Sequence, residues 1–137
     1  MDRSAAQAWL DAYVEAWKTY DRDQVAALFA EDATYRYHPY DPDHETVRGR
    51  AAIVADWVEP EGNASSRDVE GTYDGHYEPY AIDGDRVVAT GWSRYWTDAT
   101  RSTLERSYLN VFLMRFDDSG ACREFVEYYM KEPDAGA

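Results

Sequence analysis

An α+β fold, with helices gathered on one face of a curved and mostly antiparallel sheet, is what this sequence predicts, and three observations predict it. As far as Val58 three stretches of helical hydrophobic period are broken by one strand, whereas a period of two governs the chain from Gly71 onward. Only short polar turns separate the later runs, and short connections force consecutive strands to pair antiparallel. No long Gly, Ser or Pro tract divides the 137 residues, so residues 1–137 are read as one domain with one core, ending in a flexible tail from about residue 132 to 137.

Taken in order, Ala5, Ala8, Trp9, Ala12, Tyr13, Ala16, Trp17 and Tyr20 fall on one stripe at helical spacing. Asp11, Glu15 and Lys18 lie opposite, and Ser4 is the expected N-cap. Asp21 or Asp23 then caps a short second helix whose buried face is Val25, Leu28 and Phe29. From Ala33 the period drops to two, and Thr34, Tyr35 and Tyr37 set up a strand that Pro39 interrupts, which leaves His38 at the strand end.

Tyr40 to Val47 reads as a polar loop. His38, Asp41, Asp43 and His44 give it the composition of a metal site, but those ligand types share no fixed helical or strand spacing, so a solvated loop is the favoured reading and no metal is assigned. Gly49 opens a third helix, Arg50 to Val58, with Ile53, Val54 and Trp57 on its apolar face; Pro60 stops it, and a second loop runs from Glu61 to Arg67. Four strands follow: Gly71 to Ile82, Arg86 to Trp96, Leu104 to Phe116 and Ala121 to Met130. The helices close this curved sheet into a cone.

Composition narrows the function. Twelve Tyr, five Trp and four Phe supply large buried areas with polar tips, so a pocket walled by rings is expected, although an aromatic core alone would use the same residues. A formal charge of −13 repels polyphosphate and anionic membrane surfaces, which argues against nucleic acid and membrane partners. With no bilayer-length apolar run and no basic-then-apolar leader in MDRSAAQAW, a cytoplasmic location is expected. Cys122 is the single cysteine and reads as a small packed side chain. No Gly-rich turn joins a strand to a helix, so no nucleotide cofactor is expected, and no Ser sits in a nucleophile elbow.

Helix, helix, a strand ending at His38-Pro39, the Val47-Arg48-Gly49-Arg50-Ala51-Ala52-Ile53 opening of the third helix, and Glu127-Tyr128-Tyr129 in the last strand together resemble the nuclear transport factor 2-like superfamily, in its SnoaL-like branch. The resemblance covers nearly the whole chain and implies a cone-shaped α+β barrel. It does not imply one activity, because ketosteroid isomerases, polyketide cyclases, dehydratases, epoxide hydrolases and inert binding modules share that cone. In the isomerase branch a helix Tyr and a strand acid bind the substrate oxyanion, and an Asp before a proline removes the proton. Tyr13, Phe112 and His38 occupy those places here, and a phenyl ring cannot donate a hydrogen bond to an enolate, which argues against steroid-type isomerisation.

Alternation along the strands predicts which side chains enter the cone. With Phe112 inward, Tyr108, Asn110, Met114 and Phe116 follow; the same counting puts Val88, Thr90, Trp92, Arg94 and Trp96, and then Phe125, Glu127 and Tyr129, on that face. Arg94 and Glu127 would then pair with each other or meet a ligand, because breaking a buried charge pair typically costs about 3–5 kcal/mol. A structural pair remains the equal alternative. The candidate catalytic residues are therefore His38, Glu127 and Arg94, and the candidate substrate-binding residues are Tyr13, Trp17, Tyr37, Trp57, Trp92, Asn110, Phe112 and Tyr129. His38 suits a general base at neutral pH, but a cap or neighbour contact at its strand end is the favoured reading.

Two functional classes follow. One is a cofactor-free lyase, isomerase, cyclase or hydrolase acting on a small, largely apolar molecule with an oxygen function. The other is a non-catalytic module that binds such a ligand or a protein chain. Val87, Ala89, Tyr95, Leu109, Val111 and Leu113 would give the convex sheet face an apolar surface suited to a homodimer.

Overall fold

The computed structural model describes residues 1–40, 42–59 and 70–133. Helix α1 (Arg3–Thr19) is capped by Asp2, whose carboxylate accepts the Ala5 N–H at 2.8 Å, so the cap lies two residues ahead of the expected Ser4. Its buried face is Ala6, Trp9, Leu10, Tyr13, Val14 and Ala16, while Ala5, Ala8 and Ala12 are exposed. The large side chains choose the face, because Leu10 and Val14 bury far more area than the alanines give up. Asp21 caps α2 (Arg22–Leu28) by accepting the Gln24 N–H at 2.9 Å, which decides between the two candidate aspartates.

Strand β1 (Phe29–Arg36) starts directly at the end of α2, four residues earlier than alternation alone predicts, with both Phe29 and Ala30 buried before a register irregularity. A 3₁₀ turn (Asp43–Glu45) and a two-residue strand β2 (Val47–Arg48) follow, the latter pairing back on β1. Two residues carry no readable period, so β2 was invisible in the sequence. Gly49 then turns into α3 (Arg50–Val58) at φ 91°, a conformation glycine adopts without the Cβ penalty, and its N–H reaches Ala33 O at 2.7 Å. The expected loop from Glu61 to Arg67 lies outside the described residues.

Strands β3 (Tyr73–Asp83), β4 (Arg86–Trp96), β5 (Leu104–Phe116) and β6 (Cys122–Lys131) complete one six-stranded sheet in the order β2-β1-β6-β5-β4-β3. Every neighbour pair is antiparallel except β1 with β6, and the sheet is not closed. Of the expected tail, Glu132 is tied to the sheet by its N–H to Ser107 O at 2.8 Å, and residues 134–137 lie outside the described part. No helix among the described residues is long and apolar enough to cross a membrane.

The core is an aromatic layer between the helices and the sheet. Tyr35 stacks on Phe125 at 4.5 Å, Tyr13 on Phe125 at 5.4 Å, and Trp17 on Trp57 at 4.1 Å. Cys122 is fully buried, as a packed thiol should be. The register fixes the inward faces: Phe112 lies opposite Glu127 and Ala89, and Asn110 opposite Tyr129 and Gly91.

The phase expected for β5 and β6 therefore holds, and that for β4 is reversed. Val87, Ala89, Gly91, Ser93 and Tyr95 face the helices, whereas Val88, Thr90, Trp92 and Arg94 face the other side; the register shifts between Tyr95 and Trp96, so the alternation stops short of Trp96. Both sets contain apolar residues, so hydropathy could not choose between them. Volume could: the small side chains lie where Tyr77 and Phe112, 4.4 Å apart, already fill the cone. Gly91 is the tightest of these positions, because a Cβ there would sit 2.0 Å from His76 O and 2.5 Å from the Tyr77 ring.

Candidate functional site

Three of the expected residues, Asn110, Glu127 and Tyr129, come together in one pocket of about 170 Å³ on the helix-facing side of the sheet. Alternation on adjacent antiparallel strands puts them there. Asn110 faces Tyr129 across the β5–β6 ladder, and Glu127 lies one step further along, opposite Phe112. Ser93 and Asn110 form the buried part, while Arg106 and the rings of Tyr95, Tyr108 and Tyr129 stand at the more exposed end. The rings do wall the pocket, but its inner groups are polar.

A short hydrogen-bond chain orients the carboxyl. Ser93 Oγ donates to Asn110 Oδ1 at 3.1 Å, so the amide presents Nδ2 to Glu127 and donates to Oε2 at 3.2 Å. Burial pushes the Glu127 carboxyl up to about 8, while the Asn110 bond pulls the other way. Among the described residues Glu127 has no cation within ion-pair distance. It is therefore mostly a neutral acid at pH 7. Because Oε2 accepts from the amide, the acid proton belongs on Oε1.

Beneath the carboxyl the phenols are held neutral. Tyr13 and Tyr35 share a hydrogen bond of 3.1 Å between their hydroxyls; burial first, and the neighbouring Glu127 charge among the further causes, raise both well above the usual phenol value. Phe112, Trp17 and Trp57 pack in the same aromatic layer, and the buried Trp57 Nε1 has no acceptor among the described residues. Tyr37 donates its hydroxyl proton to Asp56 on α3. Of the expected binding residues, then, Tyr13, Trp17, Trp57 and Phe112 pack in the aromatic layer and are not among the described residues that line this pocket.

His38 lies just beyond the end of β1, half-buried, with its ring stacked on Tyr40 at 4.3 Å and 6.4 Å from the ring of Tyr129. It is thus beside the exposed end of the pocket. Arg94 and Trp92 are not: they lie on the opposite face, where the exposed Arg94 guanidinium sits 4.5 Å over the Trp92 ring. The expected meeting of Arg94 with Glu127 does not occur, because the β4 phase is reversed. In the loop, Asp43 lies 3.8 Å from Arg36 and 3.6 Å from Arg48, while Asp41 and the side chain of His44 are outside the described residues. The described residues contain no group of three or more His, Cys, Asp or Glu placed to hold a metal.

Sequence reasoning missed Ser93, Tyr95 and Arg106 as pocket residues. The signal for Arg106 was present, since one further step of two from Tyr108 on β5 reaches it. Ser93 and Tyr95 needed the β4 register, which only the folded sheet supplies.

The family model for the SnoaL-like domain matches residues 10–125. No curated protein matches the chain significantly. Among solved structures, an LEH-like epoxide hydrolase of M. tuberculosis is similar at 15% identity and TM-score 0.62, over 93% of this chain and 84% of that one. A nuclear transport factor 2-like protein of unknown function from Mesorhizobium loti is similar at 24% identity and TM-score 0.60, over 95% of both chains. Another such protein, from Burkholderia xenovorans LB400, is similar at 16% identity and TM-score 0.61, over 96% and 88%. At these identities the likeness is one of fold.

Proposed function

We propose a catalytic role from one premise: the chain belongs to the SnoaL-like domain family. In this reading the protein is a cofactor-free enzyme in which Glu127 is the general acid. It delivers the Oε1 proton to an oxygen of a small substrate, while Asn110 holds the carboxyl and the phenol rings of Tyr108 and Tyr129 flank the opening. His38, beside Tyr129, is the group placed to take a proton at the exposed end. The observation that carries the reading is a half-buried, amide-held carboxyl lining a cavity, its pKa pushed up to about 8 by desolvation.

The reaction classes that need such an acid are epoxide opening, loss of water from a β-hydroxy carbonyl compound, and enolisation. The experiment is a turnover screen with small epoxides, β-hydroxy ketones and unsaturated ketones. Conversion by the wild-type protein should fall tenfold per pH unit above about 8, where the acid ionises. Glu127→Gln should lower it on the order of 10²- to 10⁴-fold, the usual range for removing a general acid. Unchanged turnover in that variant defeats the reading, and a ligand that is retained but never converted favours a binding module.

A homodimer is a second proposal, favoured by the open sheet face. Leu109, Leu113, Tyr128 and Met130 are 53%, 39%, 44% and 71% exposed there, around an apolar groove of about 690 Å³ that also takes in Trp92 and Val111. Val87, Ala89 and Tyr95, expected on this surface, face inward instead. Sedimentation at micromolar concentration should give twice the 15.8 kDa chain mass, and Leu109→Glu should give the chain mass itself. A wild-type monomer would dispose of the dimer without touching the acid.

A further inference from the structure

Among the described residues the sheet ends in β2 on one side and in β3 on the other, and the two edges differ. β2 is two residues long, too short to invite another strand, whereas β3 is eleven. Alternate residues of an antiparallel edge strand turn both backbone groups away from the neighbouring strand. Pro79, which has no N–H to give β4, marks the outward set on β3 as Tyr73, Gly75, Tyr77 and Pro79. Left bare, such a row is a template for a further strand.

The row is not bare. From α1, Gln7 Nε2 donates to Tyr77 O at 2.8 Å and Arg3 Nη1 donates to Pro79 O at 3.0 Å. The same Gln7 Nε2 reaches Asp11 Oδ1 at 3.0 Å, which holds the amide in place. The Gly75 N–H donates to Asp74 Oδ1 at 2.9 Å, and Arg101 Nη2, from the turn before β5, donates to Tyr73 O at 3.3 Å. Each outward position therefore carries a side chain on its backbone.

Helix α1 follows this edge along its length. The Met1 ammonium donates to Gly84 O at 3.4 Å, and Lys18 Nζ lies 3.1 Å from the Asp74 carboxylate. From Met1 through Arg3 and Gln7 to Lys18 the partners are Gly84, Pro79, Tyr77 and Asp74, so helix and strand run in opposite directions side by side. Arg3 and Gln7 are one helical turn apart and share a flank. That flank is polar, while Leu10 and Val14 anchor the helix to the core by another part of its surface.

We propose that Arg3 and Gln7 make α1 an edge guard, which keeps β3 from pairing with the β3 strand of a second copy of this chain. A strand laid antiparallel on its own copy obeys two-fold symmetry, so each copy offers the other the donors and acceptors it needs. The same strand in another molecule is thus the partner always at hand. The guard is independent of the reading of Glu127, and it leaves the open sheet face as the surface for self-association.

The test is made in the Leu109→Glu background, where a charge on the open face opposes association there, so that a new contact reports the edge. The comparison holds whether or not the wild type dimerises. Arg3→Ala with Gln7→Ala removes both donors and keeps the helix, because alanine is the better helix former. Sedimentation at micromolar concentration should then give twice the mass of Leu109→Glu alone. Hydrogen exchange in the peptide from Tyr73 to Pro79 should slow about tenfold on association, as the outward N–H groups of Tyr73 and Tyr77 find partners. Arg3→Lys with Gln7→Lys, which returns a donor to each carbonyl, should stay at the background mass. Should the double alanine variant fail to fold, Gln7→Ala alone is read in the same way. An alanine variant that keeps the background mass, association without slowed exchange on β3, or association of the lysine variant as well would each overturn the proposal.

Discussion

Glu127→Gln is expected to make the protein more stable at pH 8 by on the order of 4 kcal/mol, and by almost nothing at pH 4. The carboxyl titrates near 8 when folded and near 4.5 when solvated, so between those values the folded chain binds the extra proton. Its contribution is complete below about pH 4.5, drains away by about 1.4 kcal/mol per unit as the pH rises, and is gone above about 8. Glutamine mimics the neutral acid, accepts the same Asn110 N–H and has nothing to ionise. The difference in urea midpoint between variant and wild type should therefore grow from pH 4.5 to 8 and then level off. Using the difference cancels the other acidic groups of this −13 chain. A difference flat across that range would mean a solvated, ordinarily ionised carboxylate, and Glu127 would lose its claim to be an acid at neutral pH.

Gly91→Ala should cost more than about 3 kcal/mol, at the upper end of what overpacking does. The new methyl would meet the backbone oxygen of His76 at 2.0 Å and the Tyr77 Cα at 2.7 Å, and neither can swing aside as a flexible side chain would. Relief requires the β3–β4 ladder to part at its Tyr77–Gly91 pair. Ser93, two residues along β4 from Gly91, opens the Ser93–Asn110–Glu127 chain, so the variant should disturb the pocket as it loses stability. Chemical denaturation measures the first effect, and the Glu127 titration midpoint, followed by carbon-13 carboxyl resonance, the second. Gly84→Ala is the control for backbone strain without crowding, since a Cβ at that position would have nothing within 4 Å although φ is 60°.

The contrast between β5 and β4 explains how much of the site could be read in advance. On β5, Asn110, Phe112, Met114 and Phe116 are a large or functional set against the exposed Leu109 and Leu113, and the correct phase followed. On β4 both alternating sets contain apolar residues, and hydropathy is blind to how little room remains above a strand, so counting alone could not find the face. Arg94 was lost from the site with its face of β4, and Arg106 lines the pocket instead.

The sequence by itself determined the helix-to-strand order, the α+β class, the family and the inward direction of Asn110, Glu127 and Tyr129, since each rests on local periodicity or on a motif. The tertiary structure alone decided the β1–β6 parallel pairing, the face of β4, and the company Glu127 keeps. Those depend on volume shared between distant segments and on desolvation, which no residue carries in its own identity. By identity alone a glutamate is ionised at neutral pH; desolvation above the aromatic layer pushes this carboxyl up to about 8, against the opposing pull of the Asn110 amide that Ser93 fixes.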